Sequence, residues 1–195
     1  MENQQKEKPK GKPFCLCVIV TEHNTSSIAY YNEQFRELNK LYNDKVRLLF
    51  FGYRPESDKF NILDGVDYEY VNPVSKIHYF KQLRACEIDL LFIPLANDNE
   101  QCIRNELHIR YAEVGQSGIP IIAPNIYPYS LIIKNDLNGF LFENRERFIP
   151  YMKDLLYHKV NDKLVKICGK ASDEFTMKNF NFSNQHLEAI STIYN

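Results

Sequence analysis

The chain carries almost no net charge. Its 195 residues hold 24 basic and 25 acidic side chains, a balance of −1, so no field of one sign is present to attract nucleic acid or an anionic membrane. No apolar run approaches the length needed to span a bilayer. The first thirteen residues, MENQQKEKPKGKP, are polar and slightly basic without an apolar core. That excludes a secretory signal and reads as a flexible leader or linker remnant over residues 1–13. The five cysteines (Cys15, Cys17, Cys86, Cys102, Cys168) are scattered and lack the paired spacing of a metal site, and a reduced, cytoplasmic setting is expected. The five histidines show no ligand spacing either, and tryptophan is absent. There is no G-x-G-x-x-G and no G-x-x-x-x-G-K-[ST], which excludes the common phosphate cradles, and the missing G-x-S-x-G elbow argues against an α/β-hydrolase. A receiver domain needs clustered acids and a lysine after its fifth strand, where Pro124 and Asn125 stand.

What is present is a globular composition, 44% hydrophobic with 13 Tyr and 13 Phe, long enough for one α/β domain and short for two. From Phe14 onward, short apolar runs alternate with helical patterns, as in repeated βαβ units. Strands are predicted at about Phe14–Val20, Val46–Gly52, Gly65–Val71, Asp89–Pro94, Ile119–Ala123 and Phe140–Phe142. Helices are predicted at about Ser27–Tyr42, Ser75–Cys86, Glu100–Gln116, Pro128–Lys134, Arg145–Tyr157 and Asp162–Asn179. Gly118 followed by Pro120 marks a helix stop in a left-handed cap. Cys15 and Cys17 alternate along an apolar run, so both are expected on one face of a buried strand. The expected fold is a doubly wound parallel sheet of five or six strands, one domain covering 14–195.

Such sheets bind ligands in the crevice outside the carboxyl ends of their strands. The loops there, Thr21–Ser27, Gly52–Ser57, Asn72–Lys76, Leu95–Asn99 and Pro124–Tyr129, are rich in hydroxyl, amide and aromatic groups and poor in clustered charge. That suits a neutral sugar or a nucleotide better than a metal, and nothing in the sequence calls for a cofactor.

The stretch Glu87–Leu141 goes further. It offers IDLLFIPL, then Asp98–Asn99, a helix with Ala112–Glu113–Val114–Gly115, then GIPIIAP, NIYPY and NDLNGFL. In order and spacing these motifs resemble the C-terminal, donor-binding domain of a GT-B glycosyltransferase of the group 1 or family 4 type, the Rossmann-like half of that fold. The resemblance implies a domain that binds a nucleotide-sugar for a retaining, hexosyltransferase-type enzyme of polysaccharide biosynthesis. The sugar would pass from a nucleoside-diphosphate donor to a hydroxyl acceptor. It implies that Glu113 accepts hydrogen bonds from the ribose hydroxyls, since its two carboxylate oxygens suit a vicinal diol. Asp98, Asn99 and the start of the following helix would meet the diphosphate or sugar, with the base near Asn72 and Thr25 and Ser26 close to the phosphates. The acceptor-binding half has no counterpart in the sequence. The implied partners are therefore a nucleotide-sugar and an acceptor domain or subunit, through which a peripheral membrane association is allowed.

Two positions depart from the family. Its second glutamate, near the sugar, corresponds to Asn105, the candidate catalytic residue, which can hydrogen-bond a hydroxyl but carries no charge; Glu106 lies one residue nearer. The basic pair facing the diphosphate has no match after the first strand, leaving Arg54, Arg104 or Arg110. These departures motivate the alternative of a non-catalytic nucleotide-sugar-binding or scaffold module. Residue by residue, plainer roles stand beside the functional ones. Glu106, Arg110 and Glu113 share a helix face and would also form an ion-pair ladder. Asp98–Asn99 would also start a turn and cap a helix, and Thr25 and Ser26 would serve as N-caps. Tyr127 and Tyr129 offer either packing or donor contact, and Asn138–Gly139 reads as a tight turn.

Overall fold

The computed structural model describes residues 11–21, 24–52, 63–72, 78–96, 111, 114–115, 117–127, 129–158, 169–171 and 174. Its elements are β1 (Phe14–Val20), α1 (Thr25–Tyr30), α2 (Asn32–Tyr42), β2 (Val46–Gly52), β3 (Glu69–Val71), α3 (Tyr79–Ala85) and β4 (Leu90–Phe92). There follow β5 (Ile121–Pro124), α4 (Tyr129–Ile132), β6 (Phe140–Phe142), a 3-10 turn (Arg145–Arg147) and α5 (Phe148–His158). The six strands form one sheet in the order β3-β2-β1-β4-β5-β6, and every pairing is parallel. This is the doubly wound α/β arrangement expected.

The alternation of side chains along β1 explains the layering. All seven residues, FCLCVIV, are buried, as a central strand covered on both faces requires. Phe14, Leu16, Val18 and Val20 face one core, shared with Ile28 of α1, Tyr31 between the helices, Phe35 and Leu38 of α2, and Phe148 and Met152 of α5. Cys15, Cys17 and Ile19 face the other, with Leu83 of α3, Tyr111, Val114 and Tyr129. The two thiols do share a face. Full burial of each large apolar side chain contributes about 1.5–3 kcal/mol, so the two cores hold the sheet from both sides.

The structure corrects several boundaries. The helix predicted over Ser27–Tyr42 starts at Thr25 and breaks at Tyr31, where the chain makes a turn and the Tyr31 amide bonds to the Ile28 carbonyl at 3.0 Å. The turn carries the Tyr31 ring into near-perpendicular contact with Phe92 and Phe142. The third strand is Glu69–Val71 rather than Gly65–Val71, because α2 takes its leading backbone. Asn39 bonds both the amide and the carbonyl of Asp67, and Arg36 Nε donates to the Asp64 carbonyl. β4 shortens to Leu90–Phe92, and β5 is Ile121–Pro124 rather than Ile119–Ala123, Pro120 having no amide to pair. The helix expected over Pro128–Lys134 is confined to Tyr129–Ile132. Asn138, buried and not merely part of a turn, accepts from the Lys134 amide (2.6 Å) and donates to the Ile132 carbonyl (3.1 Å), which closes the helix. The segment Arg145–Tyr157 begins as a 3-10 turn whose first free amide, that of Arg147, is taken by the Asn144 side chain. Gly118 has φ +66°, the left-handed cap expected of it. The predicted helix Asp162–Asn179 lies largely outside the described residues.

Candidate ligand crevice

The strand order reverses at β1 and β4. From β1 the chain passes to α1 on one face of the sheet, and β2 and β3 lie to that side. β4 pairs instead toward β5, and the helical residues Tyr111 and Val114 that follow it pack on the opposite face. Adjacent exits that diverge in this way leave a crevice at the carboxyl edge, the place where doubly wound sheets take their ligands.

The β1 side of the crevice is built by Asn24. Its side-chain oxygen accepts from the Thr21 amide (2.9 Å) and its Nδ2 donates to the Ile19 carbonyl (2.7 Å), folding the loop back on its own strand. Asn24, not Thr25 or Ser26, precedes the first helical residue. Thr25 is half-buried and Ser26 exposed, in the first turn of α1 beside the crevice. Ser27 is buried, and its hydroxyl accepts from the Ala96 amide on the β4 exit at 3.1 Å. The Tyr31 hydroxyl donates to the Leu95 carbonyl at 3.5 Å. Burial, reinforced by Tyr30 and opposed by Arg145, raises the Tyr31 pKa, so it remains a protonated donor.

The neighbouring exits are tight. Gly52 ends β2 at φ +134°, where a Cβ would run into the Val20 carbonyl oxygen, and its own carbonyl accepts from the Tyr70 hydroxyl. Asn72 is exposed just past β3, on the same edge as Thr25 and Ser26. Beyond β5, Tyr129 is fully buried and serves packing, whereas Tyr127 is 57% exposed. Beyond β6, Arg145 turns toward the junction of α1 and α2, pairing with Glu33 and stacking over the Tyr30 ring.

Asn24, Ser27 and Arg145 carry no sequence motif that marks them for this edge. Asn24 stood in a run of cap-type residues, whereas Ser27 and Arg145 act through partners far away in the chain. Of the candidates drawn from the sequence, Asp98, Asn99, Arg104, Asn105, Arg110 and Glu113 lie outside the described residues, as do Arg54 and Glu106. Among the described residues no cluster of three or more His, Cys, Asp or Glu side chains is placed to hold a metal ion. No described helix is long and apolar enough to cross a membrane.

No protein-family model matches the chain, and no curated protein sequence does. Solved structures match in fold. TarM is 20% identical with a TM-score of 0.62, over 96% of this chain and 36% of its own. The C-terminal domain of LpcC, a group 1 glycosyl transferase family protein from Francisella tularensis, is 13% identical with a TM-score of 0.61 over 87% of both chains. HepE of Anabaena, solved in complex with UDP-glucose, is 12% identical with a TM-score of 0.59, over 92% of this chain and 49% of its own. The chain therefore has the fold of a GT-B glycosyltransferase C-terminal domain, and it spans between a third and a half of the length of TarM and HepE.

Proposed function

We propose that this chain is the nucleotide-sugar donor-binding domain of a retaining glycosyltransferase of hexosyltransferase type, working in the cytoplasm with an acceptor-binding domain or partner. The observation that carries this reading is the crevice between the β1 and β4 exits, in a sheet whose order and parallel pairing are those of the GT-B C-terminal half. Two further facts support it. The motif series from IDLLFIPL to NDLNGFL follows the family's order, and HepE has been solved with UDP-glucose.

In this reading Glu113 accepts from both ribose hydroxyls, while Asp98, Asn99, Thr25 and Ser26 flank the diphosphate and Asn72 lies near the base. Arg104 or Arg110 offsets the charge that builds on the leaving diphosphate as the glycosidic bond breaks. Asn105 hydrogen-bonds the sugar as a neutral group. The neutrality of Asn105 also favours a second reading, a module that binds the donor without turning it over.

The test is a thermal-shift series with UDP, GDP, ADP and dTDP and their common sugars, on the chain and on its Glu113→Ala variant. Ligand present at about 100 times its Kd stabilises the fold by about 2.7 kcal/mol. For a chain of this size that raises the melting temperature by roughly 5–10 °C. The expected result is a rise with one nucleotide, lost in Glu113→Ala while the unliganded melt stays unchanged. Equal shifts in both proteins would remove Glu113 from the site. Donor hydrolysis or transfer on adding an acceptor domain separates the enzyme from the non-catalytic module.

A further inference from the structure

We infer that Ser27, assisted by Tyr31, is a positioning residue that sets the width of the donor crevice by clasping the β4 exit to α1. The inference rests on the donor-binding reading above and adds to it a residue that no motif marks. The sheet itself does not fix this width. The ladder between β1 and β4 ends at the pair Val18 and Phe92. Ile93, like Leu91 before it, gives its amide to the β5 side, the alternation of a parallel strand with neighbours on both sides. The described backbone from Pro94 to Ala96 is irregular and lies past the last β1–β4 pair.

Two side chains from α1 and its terminal turn span the gap. The Ser27 hydroxyl accepts from the buried Ala96 amide at 3.1 Å, a bond across 69 residues of sequence. The Tyr31 hydroxyl reaches the Leu95 carbonyl at 3.5 Å, across 64 residues. Neither group has freedom to look elsewhere. Ser27 is 8% exposed and Tyr31 1%, and the Tyr31 ring is wedged among Phe92, Phe142 and Phe148. Asn24 in turn fastens the start of α1 to β1. The Asn24–Ile19 and Ser27–Ala96 bonds, joined through the first turn of α1, therefore link the two walls of the crevice before any ligand arrives. A wall already in place does not have to be ordered on binding, which removes a cost from association.

The test compares UDP binding by calorimetry and amide hydrogen exchange over Pro94–Ala96 in the full chain and in Ser27→Ala, Ser27→Thr and Tyr31→Phe. Ser27→Ala leaves the Ala96 amide without its acceptor, and we expect faster exchange there with UDP bound about tenfold more weakly. Tyr31→Phe keeps the ring and gives up only a long bond, so about a threefold loss is expected. Ser27→Thr keeps the hydroxyl and should bind as the parent does. Should exchange accelerate in Ser27→Ala while UDP affinity stays at the parent value, the clasp is structural only and the inference is overturned. Failure of Ser27→Thr to restore lost affinity overturns it too. If the parent chain itself binds none of UDP, GDP, ADP and dTDP, the donor-binding reading falls and the inference with it.

Discussion

Asn138 offers the sharpest quantitative check on the packing argument. Its side chain is 3% exposed and satisfies two backbone groups, the Lys134 amide at 2.6 Å and the Ile132 carbonyl at 3.1 Å. Replacing it with alanine affects the two partners differently. Lys134 is exposed, so water can take over its amide, and the net loss there is about 1 kcal/mol. Ile132 is 8% exposed, so its carbonyl stays largely shut away from water and carries a desolvation penalty of about 1–3 kcal/mol. Asn138→Ala should therefore cost about 2–4 kcal/mol, read as a shift of the urea midpoint at constant slope. Asn138→Asp separates the two bonds. The carboxylate still accepts from Lys134 but faces the Ile132 carbonyl with an oxygen in place of a donor. At neutral pH it should cost at least as much as alanine. Burial and the facing carbonyl raise the folded-state pKa of that carboxyl, and protonation restores a donor, so the deficit should shrink as the pH falls from neutral toward the ordinary Asp value of about 4 and level off below it. A loss below about 1 kcal/mol for alanine, against the 2–4 expected from these two bonds, would show that they do not hold the helix end. So would an aspartate deficit that ignores pH.

Two further perturbations probe other parts of the fold. Gly52→Ala forces a side chain into φ +134° and against the Val20 carbonyl. It should cost about 3 kcal/mol, and a near-neutral denaturation curve would contradict the close approach of β1 and β2. Burial, with Cys15 and Cys86 nearby, raises the Cys17 thiol well above its ordinary value of 9.0. The folded chain then keeps a proton that the unfolded chain releases, so stability is intact below that value and falls as the pH climbs past it. The slope reaches about 1.4 kcal/mol per pH unit for one thiol. Cys17→Ala should flatten this alkaline decline between pH 9 and 10 in urea titrations at about the same ionic strength, and an unchanged slope would argue against the burial effect.

Periodicity served well where a residue's environment is decided by its immediate neighbours. The unbroken apolar run of β1 announced a central strand, and Gly118 announced its helix end, because burial on two faces and a left-handed cap each leave a local trace. The break at Tyr31 left none, since its cause is a set of rings, Phe92, Phe142 and Phe148, contributed from distant strands and helices. The short third strand is similar: Gly65–Val71 alternates like a strand, yet Asn39 of α2 claims the Asp67 backbone first. Asn138 read as a turn residue because Asn-Gly is a turn dipeptide, while its partners are Ile132, the last residue of the preceding helix, and Lys134 just past it. The candidate site divides along the same line. Its edge of the sheet was readable from strand order alone, whereas Ser27 and Arg145 acquire their roles only through tertiary partners, Ala96 and Glu33. For the residues from Asp98 to Arg110 and for Glu113, the motif series is the ground on which they stand as candidates.

The outer border of the sheet at β6 has a consequence for the behaviour of the chain in crowded solution. An uncovered strand offers its amides to any other extended segment, and this is how soluble domains begin to stick to one another. Here the amide of Leu141, the middle residue of β6, is already held by the Asn135 side chain at 2.9 Å, and the same oxygen is fixed by the Tyr151 hydroxyl at 2.8 Å. β6 is also only three residues long. A stray strand arriving at this border would have to displace Asn135 to win a single hydrogen bond, so the sheet is finished on this side as well as folded.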